Sequence, residues 1–518
     1  MTLSILDTRT DAPARGEPTS DIQAPANLHD LLDAAARTWS DRPAVTSAGT
    51  TLTHADLAAA SHRLAAWLRD GGVRRGDRVV VVTASSALQP AMLYAASRIG
   101  AVISLLHEQT NERALEHVLD DCAPVLVVAD DVTAPAEARG IRVVGTAELD
   151  GHAFTGDVVP VAGGAALPVD PLFLIYTSGT TSAPKAVVST HQQVVFAVRA
   201  IQSVLAYRHS DVVYCPLPMS FDYGMYQLFL GAASGAHVWL GRPAEVGPAL
   251  VGNLVAAGAT VLSAVPAVAE ALGRLLARRP DRAPRLRLLT NTGAAMPAEV
   301  LAALRAAIPT LRVQLMFGLT ECKRATIAPP DADLVRPGTS GVALPGTEVF
   351  TVDDDGNRLP PGEVGEITVR GPNVMAGYWN QPALTARRFP RRDGLFPELR
   401  TGDYGRVDAD GFLYFEGRRD DIYKERGFRV SATEVEAAAR RVPGVASAAV
   451  LPPGDGRPAV LAVVADRPPE QVLDGMRGEI EEFKIPHRCL SVRRLALTGN
   501  GKVDRKALAA LVAEADRG

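Results

Sequence analysis

The sequence predicts an α/β protein: a large N-terminal domain of parallel sheets covered by helices, with a small β-barrel-like subdomain, and then a small α+β domain. Three observations predict it. Helical and strand-like segments take turns from Leu28 onward, the pattern of parallel sheets with covering helices. After about residue 340 the texture changes to short strand-like runs separated by Gly and Asp turns. The 518 residues, 47% of them hydrophobic, exceed what one core usually holds.

The elements follow in order. Residues 1–25 are polar, contain proline and have no period, so a flexible tail is expected. Leu31, Leu32, Ala35 and Ala36 have helical spacing. Asp56 to Arg69 form the next helix, with Leu57, Leu64 and Leu68 on one side. Arg78 to Val82 is a buried strand by its length and β-branching, Leu88 to Arg98 a helix, and Ala101 to Ile103 a strand. Val125 to Val128, Ile141 to Val144 and Leu172 to Tyr176 are further strands. Beyond the change of texture, Gly341 to Gly346, Val364 to Val369 and Gly411 to Phe415 read as antiparallel strands. Asp353, Asp354, Asp355 and Gly356 form an acidic turn with no EF-hand register, hence a solvated loop. Residues 26–419 are expected to form the large domain and 420–518, rich in charge, the small one.

Composition excludes several classes. Charged residues are 22% with a net charge of -4 and both signs interspersed, which argues against a nucleic-acid partner. Cys122, Cys215, Cys322 and Cys489 are scattered, so neither a zinc pattern nor a disulfide framework is expected. The start lacks a basic region followed by an apolar one, and no apolar run approaches membrane-spanning length. A soluble cytoplasmic protein with no membrane partner is the expectation.

The sharpest chemical signal is Tyr176-Thr177-Ser178-Gly179-Thr180-Thr181-Ser182-Ala183-Pro184-Lys185, directly after an apolar strand. Small hydroxyl residues around a glycine let backbone N–H and side-chain O–H groups close around phosphate oxygens, and the lysine adds charge. The Walker spacing is absent. Ser182 and Lys185 fit the Ser-x-x-Lys of penicillin-recognising acyl enzymes, but the other two motifs of those enzymes are missing. A Ser/Thr-rich surface loop is the plain alternative.

This loop resembles the phosphate loop of the acyl- and aminoacyl-adenylating, AMP-forming superfamily. Further segments are similar to that family in the family's order. They are Gly293-Ala294-Ala295-Met296-Pro297, Phe317-Gly318-Leu319-Thr320-Glu321, Gly371-Pro372 through Gly377-Tyr378-Trp379-Asn380, Thr401-Gly402-Asp403, Gly417-Arg418-Arg419-Asp420, Lys484-Ile485-Pro486 and Thr498 to Arg505. The resemblance implies ATP and Mg²⁺ as cofactors. Thr177, Ser178, Gly179, Thr180 and Thr181 would hold the β- and γ-phosphates, with Lys185 adding charge. Gly293, Ala294, Ala295, Phe317 and Gly318 would face adenine. Thr320 would bond the α-phosphate and Glu321 would hold the metal. Asp403 and Arg418 would take the ribose. Lys502 would bridge the acid's carboxylate and the α-phosphate as negative charge builds, which suits a reaction that is mostly positioning and neutralisation. Asp420 would be the pivot of a mobile C-terminal domain, and Lys424 and Gly427 would lie in the loop facing the incoming thiol. Ser182 and Ala186 stand where the family usually has Gly, and a left-handed backbone at either would be strained. Ala496 stands where Pro usually does.

The acid is read from two places. Phe221 and Asp222 resemble the substrate segment of amino-acid-activating members, where the aspartate holds an ammonium; a buried carboxylate needs such a partner. Alternatively Asp222 caps a helix beginning near Gly224. Lys323 and Arg324 could meet a second substrate carboxylate, a phosphate or a carrier's phosphopantetheine, or simply pair with acidic residues. The resemblance favours an amino acid, α or β, as substrate. The chain stops sixteen residues after Lys502, so the thiol is expected in trans, from a carrier protein or CoA. The rivals are an acyl-CoA synthetase for an acid lacking an amine and a non-catalytic nucleotide-binding module.

Overall fold

The computed structural model describes residues 25–84, 86–161, 166–177, 184–392, 396–418, 422–425, 428–454, 457–480, 482–497 and 503–515. Two large sheets dominate. The smaller has seven strands, in the order Gly377–Tyr378, Lys185–Thr190, Pro171–Thr177, Val102–Leu106, Arg78–Val82, Leu126–Ala129 and Arg142–Val144. Its last five are mutually parallel, and the first two add antiparallel at one edge.

The larger sheet has thirteen strands. Its parallel part runs Arg312–Phe317, Leu288–Asn291, Val261–Ala264, Val212–Cys215, His237–Leu240 and Pro43–Ser47. At Arg312–Phe317 the pairing turns antiparallel through Thr326–Ile327 and continues to Thr339–Ala343, Phe412–Arg418, Glu398–Val407, Gly365–Arg370 and Glu348–Val352. The expected small β subdomain is therefore hydrogen-bonded to the second parallel sheet. The strands read from Arg78, Val125, Ile141, Leu172, Val364 and Gly411 all form, within about three residues of the expected bounds.

Local chemistry sets the helix ends. Thr53 caps His54–Asp70, its hydroxyl accepting from the Asp56 N–H while the Asp56 carboxylate reaches back. Asn111 caps Glu112–Cys122 in the same way through Ala114. Gly100 and Gly235 end Leu88–Ile99 and Asp222–Ser234 in the left-handed conformation that glycine adopts without strain.

The helix Asp222–Ser234 lies between the two sheets and is buried on nearly every side. Phe229 stacks on Phe173 of the seven-stranded sheet at 6.4 Å, while the Tyr223 hydroxyl bonds Thr290 of the thirteen-stranded sheet at 2.7 Å. Burying such a ring stabilises by roughly 1.5–3 kcal/mol, so this helix cements the layers.

The C-terminal part has its own small sheet, Val445–Leu451, Val460–Ala465 and Arg488–Ser491, and its own cores. The helix Ala432–Arg441 packs Val435, Ala438 and Ala439 onto it. The Ser431 hydroxyl donates to the Glu416 carbonyl of the preceding domain's last strand. The expected pivot Asp420 lies outside the described residues. Among the described residues no helix is long and apolar enough to cross a membrane.

Candidate functional site

Three of the sequence-predicted segments emerge from the carboxyl ends of parallel strands, and a fourth, residues 178–183, comes directly after such a strand, Pro171–Thr177, in sequence but lies outside the described residues. Residues 216–221 follow Val212–Cys215. Gly293 to Pro297 follow Leu288–Asn291, and Gly318 to Ala325 follow Arg312–Phe317. In open α/β sheets this is where ligands bind, because the loops converge there.

Of the phosphate-loop residues, Ser178, Gly179, Thr180 and Thr181 lie outside the described residues. The two stems are described. Thr177 pairs with Lys185 as the antiparallel partner, and the Thr177 hydroxyl is buried with no hydrogen-bond partner among the described residues. An orphaned hydroxyl costs about 1–3 kcal/mol, so the stem suits an incoming acceptor such as a phosphate oxygen. Lys185 is the first residue of its strand, and Ala186 is fully buried within it with an ordinary extended backbone. The strain expected at Ala186 does not arise, because strand pairing with Tyr176 fixes φ in the region any residue adopts. Ser182 lies outside the described residues.

The connection from Phe317 to Thr326 folds back on itself. The Ala325 N–H donates to the Phe317 carbonyl at 2.9 Å, and Cys322 N–H to Leu319 at 3.0 Å. Asn373 clamps the turn, donating to the carbonyls of Cys322 and Arg324 at 3.2 and 3.0 Å. Gly318 is required here: a Cβ would stand 2.1 Å from the Lys323 carbonyl oxygen. The turn sends Glu321 toward Lys185 and Tyr378, and Lys323 and Arg324 toward Phe173, Tyr226, Tyr223 and Asp222.

On the first side Glu321 is 7% exposed. Its Oε1 accepts from the Tyr378 hydroxyl at 2.7 Å and from Lys185 Nζ at 3.3 Å. Lys185 also donates to the Tyr378 oxygen at 2.7 Å. Burial works to raise the Glu321 pKa, but Lys185's charge and the Tyr378 hydrogen bond outweigh it and hold the carboxylate below its usual range. No hydrogen bond among the described residues reaches Oε2. Among the described residues no three acidic, His or Cys side chains gather as a metal cage. A hard divalent cation here would take this one carboxylate and find its remaining oxygens on phosphates, a donor set that suits Mg²⁺.

On the other side lies a buried charged cluster. Asp222, 3% exposed, is the first residue of its helix and not its cap; Phe221 holds the cap position. The carboxylate makes no capping hydrogen bond and faces Arg324 Nη1 at 3.6 Å. The capping alternative therefore fails, and the carboxylate's protein partner is Arg324. Arg324 lies over the Tyr223 ring at 4.5 Å, with its Nε unpartnered among the described residues. Lys323 is fully buried, adopts φ 62, and its ammonium has no hydrogen-bond acceptor among the described residues. It rests over the Phe173 and Tyr226 rings at 5.1 and 5.8 Å. Burial pulls its pKa down to about 8 against the opposing charges of Asp222 and Glu321.

The other segments that the sequence assigns to the nucleotide and thiol are placed as follows. Gly293 to Ala295 are exposed, and a Cβ on Gly293 would stand 4.0 Å from Phe221 Cζ. The Phe317 ring stacks on Phe415 at 5.9 Å and keeps 8% of its surface exposed. Asp403 and Arg418 are direct partners on neighbouring strands, of Arg418 the backbone alone being described. Lys424 is placed on Ile422–Glu425 by its backbone alone. Gly427 and Lys502 lie outside the described residues. Tyr378, Tyr223, Phe173 and Asn373 were missed as site residues. Tyr378, Asn373 and Tyr223 sit inside or beside the family-like segments, which was the available signal; Phe173 carried none that singled it out.

The family described as AMP-binding enzyme matches residues 32–379, and its C-terminal domain matches residues 434–502. The L-proline–[L-prolyl-carrier protein] ligase of Streptomyces coelicolor is 30% identical over 497 residues, covering 88% of this chain and 91% of that protein. The probable non-canonical nonribosomal peptide synthetase CymA of Salinispora arenicola is 32% identical over 498 residues. That match covers 92% of this chain but spans 6% of the length of that much longer protein. The solved structure of VinN with L-aspartate is 40% identical, covering 76% of this chain and 98% of that one, with a TM-score of 0.67. The family match spans well over half of the sequence and both ends of the site-bearing architecture, and on that ground this chain belongs to the AMP-binding enzyme family.

Proposed function

We propose that this AMP-forming ligase activates an amino acid carrying a second carboxylate, an aspartate-like acid, and passes it to the thiol of a carrier protein. One observation carries the choice of acid. The buried charged cluster beside the adenylation turn holds one anion, Asp222, and two cations, Arg324 and Lys323, and the Lys323 ammonium lacks an acceptor among the described residues. A substrate with an ammonium and a spare carboxylate complements that set: the ammonium meets Asp222 and the carboxylate meets Lys323 and Arg324. A fatty or aryl acid would leave all three charges buried without new partners, which is costly. The similarity to VinN, whose structure holds L-aspartate, and to a prolyl-carrier protein ligase supports the same reading.

The reacting carboxylate attacks the α-phosphorus of ATP and pyrophosphate leaves. Both reactants are anionic, so the residues serve mainly to hold and neutralise. Thr177 to Thr181 and Lys185 hold the outer phosphates, Thr320 the α-phosphate, and Lys502 the developing charge between the reactants. Gly293 to Ala295 and Phe317 flank adenine, and Asp403 and Arg418 take the ribose. Glu321 holds Mg²⁺, which when bound neutralises phosphate charge. Residues 26–419 act as the main domain and 420–518 as a lid turning at Asp420, bringing Lys424 and Gly427 toward the thiol.

ATP–pyrophosphate exchange over a panel of α-amino, β-amino, amino-dicarboxylic and plain acids tests the reading. Exchange is expected with amino-dicarboxylic acids. Exchange confined to fatty or aryl acids would overturn the choice of substrate and point to CoA as acceptor.

A further inference from the structure

The strand Gly377–Tyr378 adds to the edge of Lys185–Thr190, with Tyr378 opposite Val187. The pairing sets the Tyr378 ring against Phe389, 5.6 Å between centroids, with Lys185 Nζ 4.0 Å from its own centroid. A phenol hydroxyl has one proton to give and lone pairs to receive. Here it gives the proton to Glu321 Oε1 and receives from Lys185. Lys185 reaches the same Oε1, so both bonds fall on one oxygen. The Met375 N–H meanwhile holds the Glu321 carbonyl at 2.9 Å, fixing the residue's main chain. The residue is thus fastened by its backbone and by one carboxylate oxygen, while no hydrogen bond among the described residues reaches the second oxygen.

We propose that Tyr378 is a positioning residue for the metal-bearing carboxylate: it pins Oε1 of Glu321 so that Oε2 alone is offered to the divalent cation that arrives with ATP. The inference rests on the reading of Glu321 as the metal residue. Tyr378 acts through Glu321. Its ring fills space beside Phe389, and its hydroxyl alone carries the positioning role.

The test is ATP affinity by calorimetry with no acid present, so that nothing turns over, in EDTA and again with magnesium. Tyr378→Phe keeps the ring packing. It is expected to bind metal-free ATP as the wild type does and to lose about tenfold of the tightening that magnesium brings, the usual scale for removing an outer partner of a metal ligand. Glu321→Gln is expected to lose that tightening outright. If Glu321→Gln loses it and Tyr378→Phe keeps it in full, the inference about Tyr378 is overturned while Glu321 stands. If both variants keep it, both readings fall. Equal weakening of Tyr378→Phe with and without metal would mean a structural role and would also overturn the inference.

Discussion

Replacing Lys323 by methionine should make the protein more stable and less active. The ammonium is fully buried, and its pKa falls from 10.5 to about 8. The difference, about 2.5 units at 1.36 kcal/mol each, puts the destabilisation at about 3 kcal/mol. The sign follows from proton counting. Below about pH 8 the lysine is protonated both folded and unfolded, so the folded state carries the full cost of the buried charge. Between about 8 and 10.5 the unfolded chain holds the proton and the folded one does not, so stability rises with pH. Methionine fits against Phe173 and Tyr226 and has no charge to bury. In urea melts Lys323→Met should therefore exceed the wild type by about 3 kcal/mol at pH 7, and the gap should close as pH approaches 10. Exchange with an amino-dicarboxylic acid should fall roughly ten- to a hundredfold, the scale of a lost hydrogen bond to a charged group. A variant less stable than the wild type at pH 7, or a gap that ignores pH, would refute the reasoning. Unchanged exchange would remove Lys323 from the pocket.

Asp222→Asn should lower exchange with amino acids by roughly ten- to a hundredfold and spare acids lacking an amine; an equal loss for every acid would make Asp222 structural. Lys502→Ala should abolish most adenylation while calorimetry still detects ATP binding, and near-normal turnover would dismiss its assigned role. His191 is held down to about 4 by burial first and by His29 next, and its Nδ1 accepts the Leu28 N–H at 3.2 Å. Its folded pKa lies below the unfolded 6.5, so it contributes full stability above 6.5 that drains away as pH falls toward 4. His191→Asn, which keeps an acceptor but takes no proton, should flatten that acid limb in thermal melts; an unchanged limb would assign it to other groups.

The layers were legible in the sequence because periodicity is a local signal. The apolar run Arg78 to Val82 and the spacing of Leu57, Leu64 and Leu68 are each complete within one element. Tyr378 was not legible as a partner of Glu321, because 57 residues separate them and no local pattern encodes such a contact. Asp222 shows the same limit at closer range. Its residue type suited either a cap or an ion partner, and only the position of Phe221 as cap and of Arg324 across the helix distinguishes them. Whether Ala186 would be strained was open for a related reason: strain required a left-handed backbone, and only the pairing with Tyr176 shows that the residue is ordinary strand.

The turn between Phe317 and Thr326 has a bearing on how such proteins diversify. Within a single short return it carries Thr320 and Glu321, assigned to the reaction, and Lys323 and Arg324, assigned to the choice of acid. On the proposed roles, selectivity and chemistry share one short stretch of chain. A change at residue 323 or 324 is felt two or three positions away through a backbone with no slack, since Gly318 touches the Lys323 carbonyl and Asn373 grips both flanks. Transplanting this stretch between relatives should succeed when Asn373 travels with it, and should disturb the shared reaction when it does not.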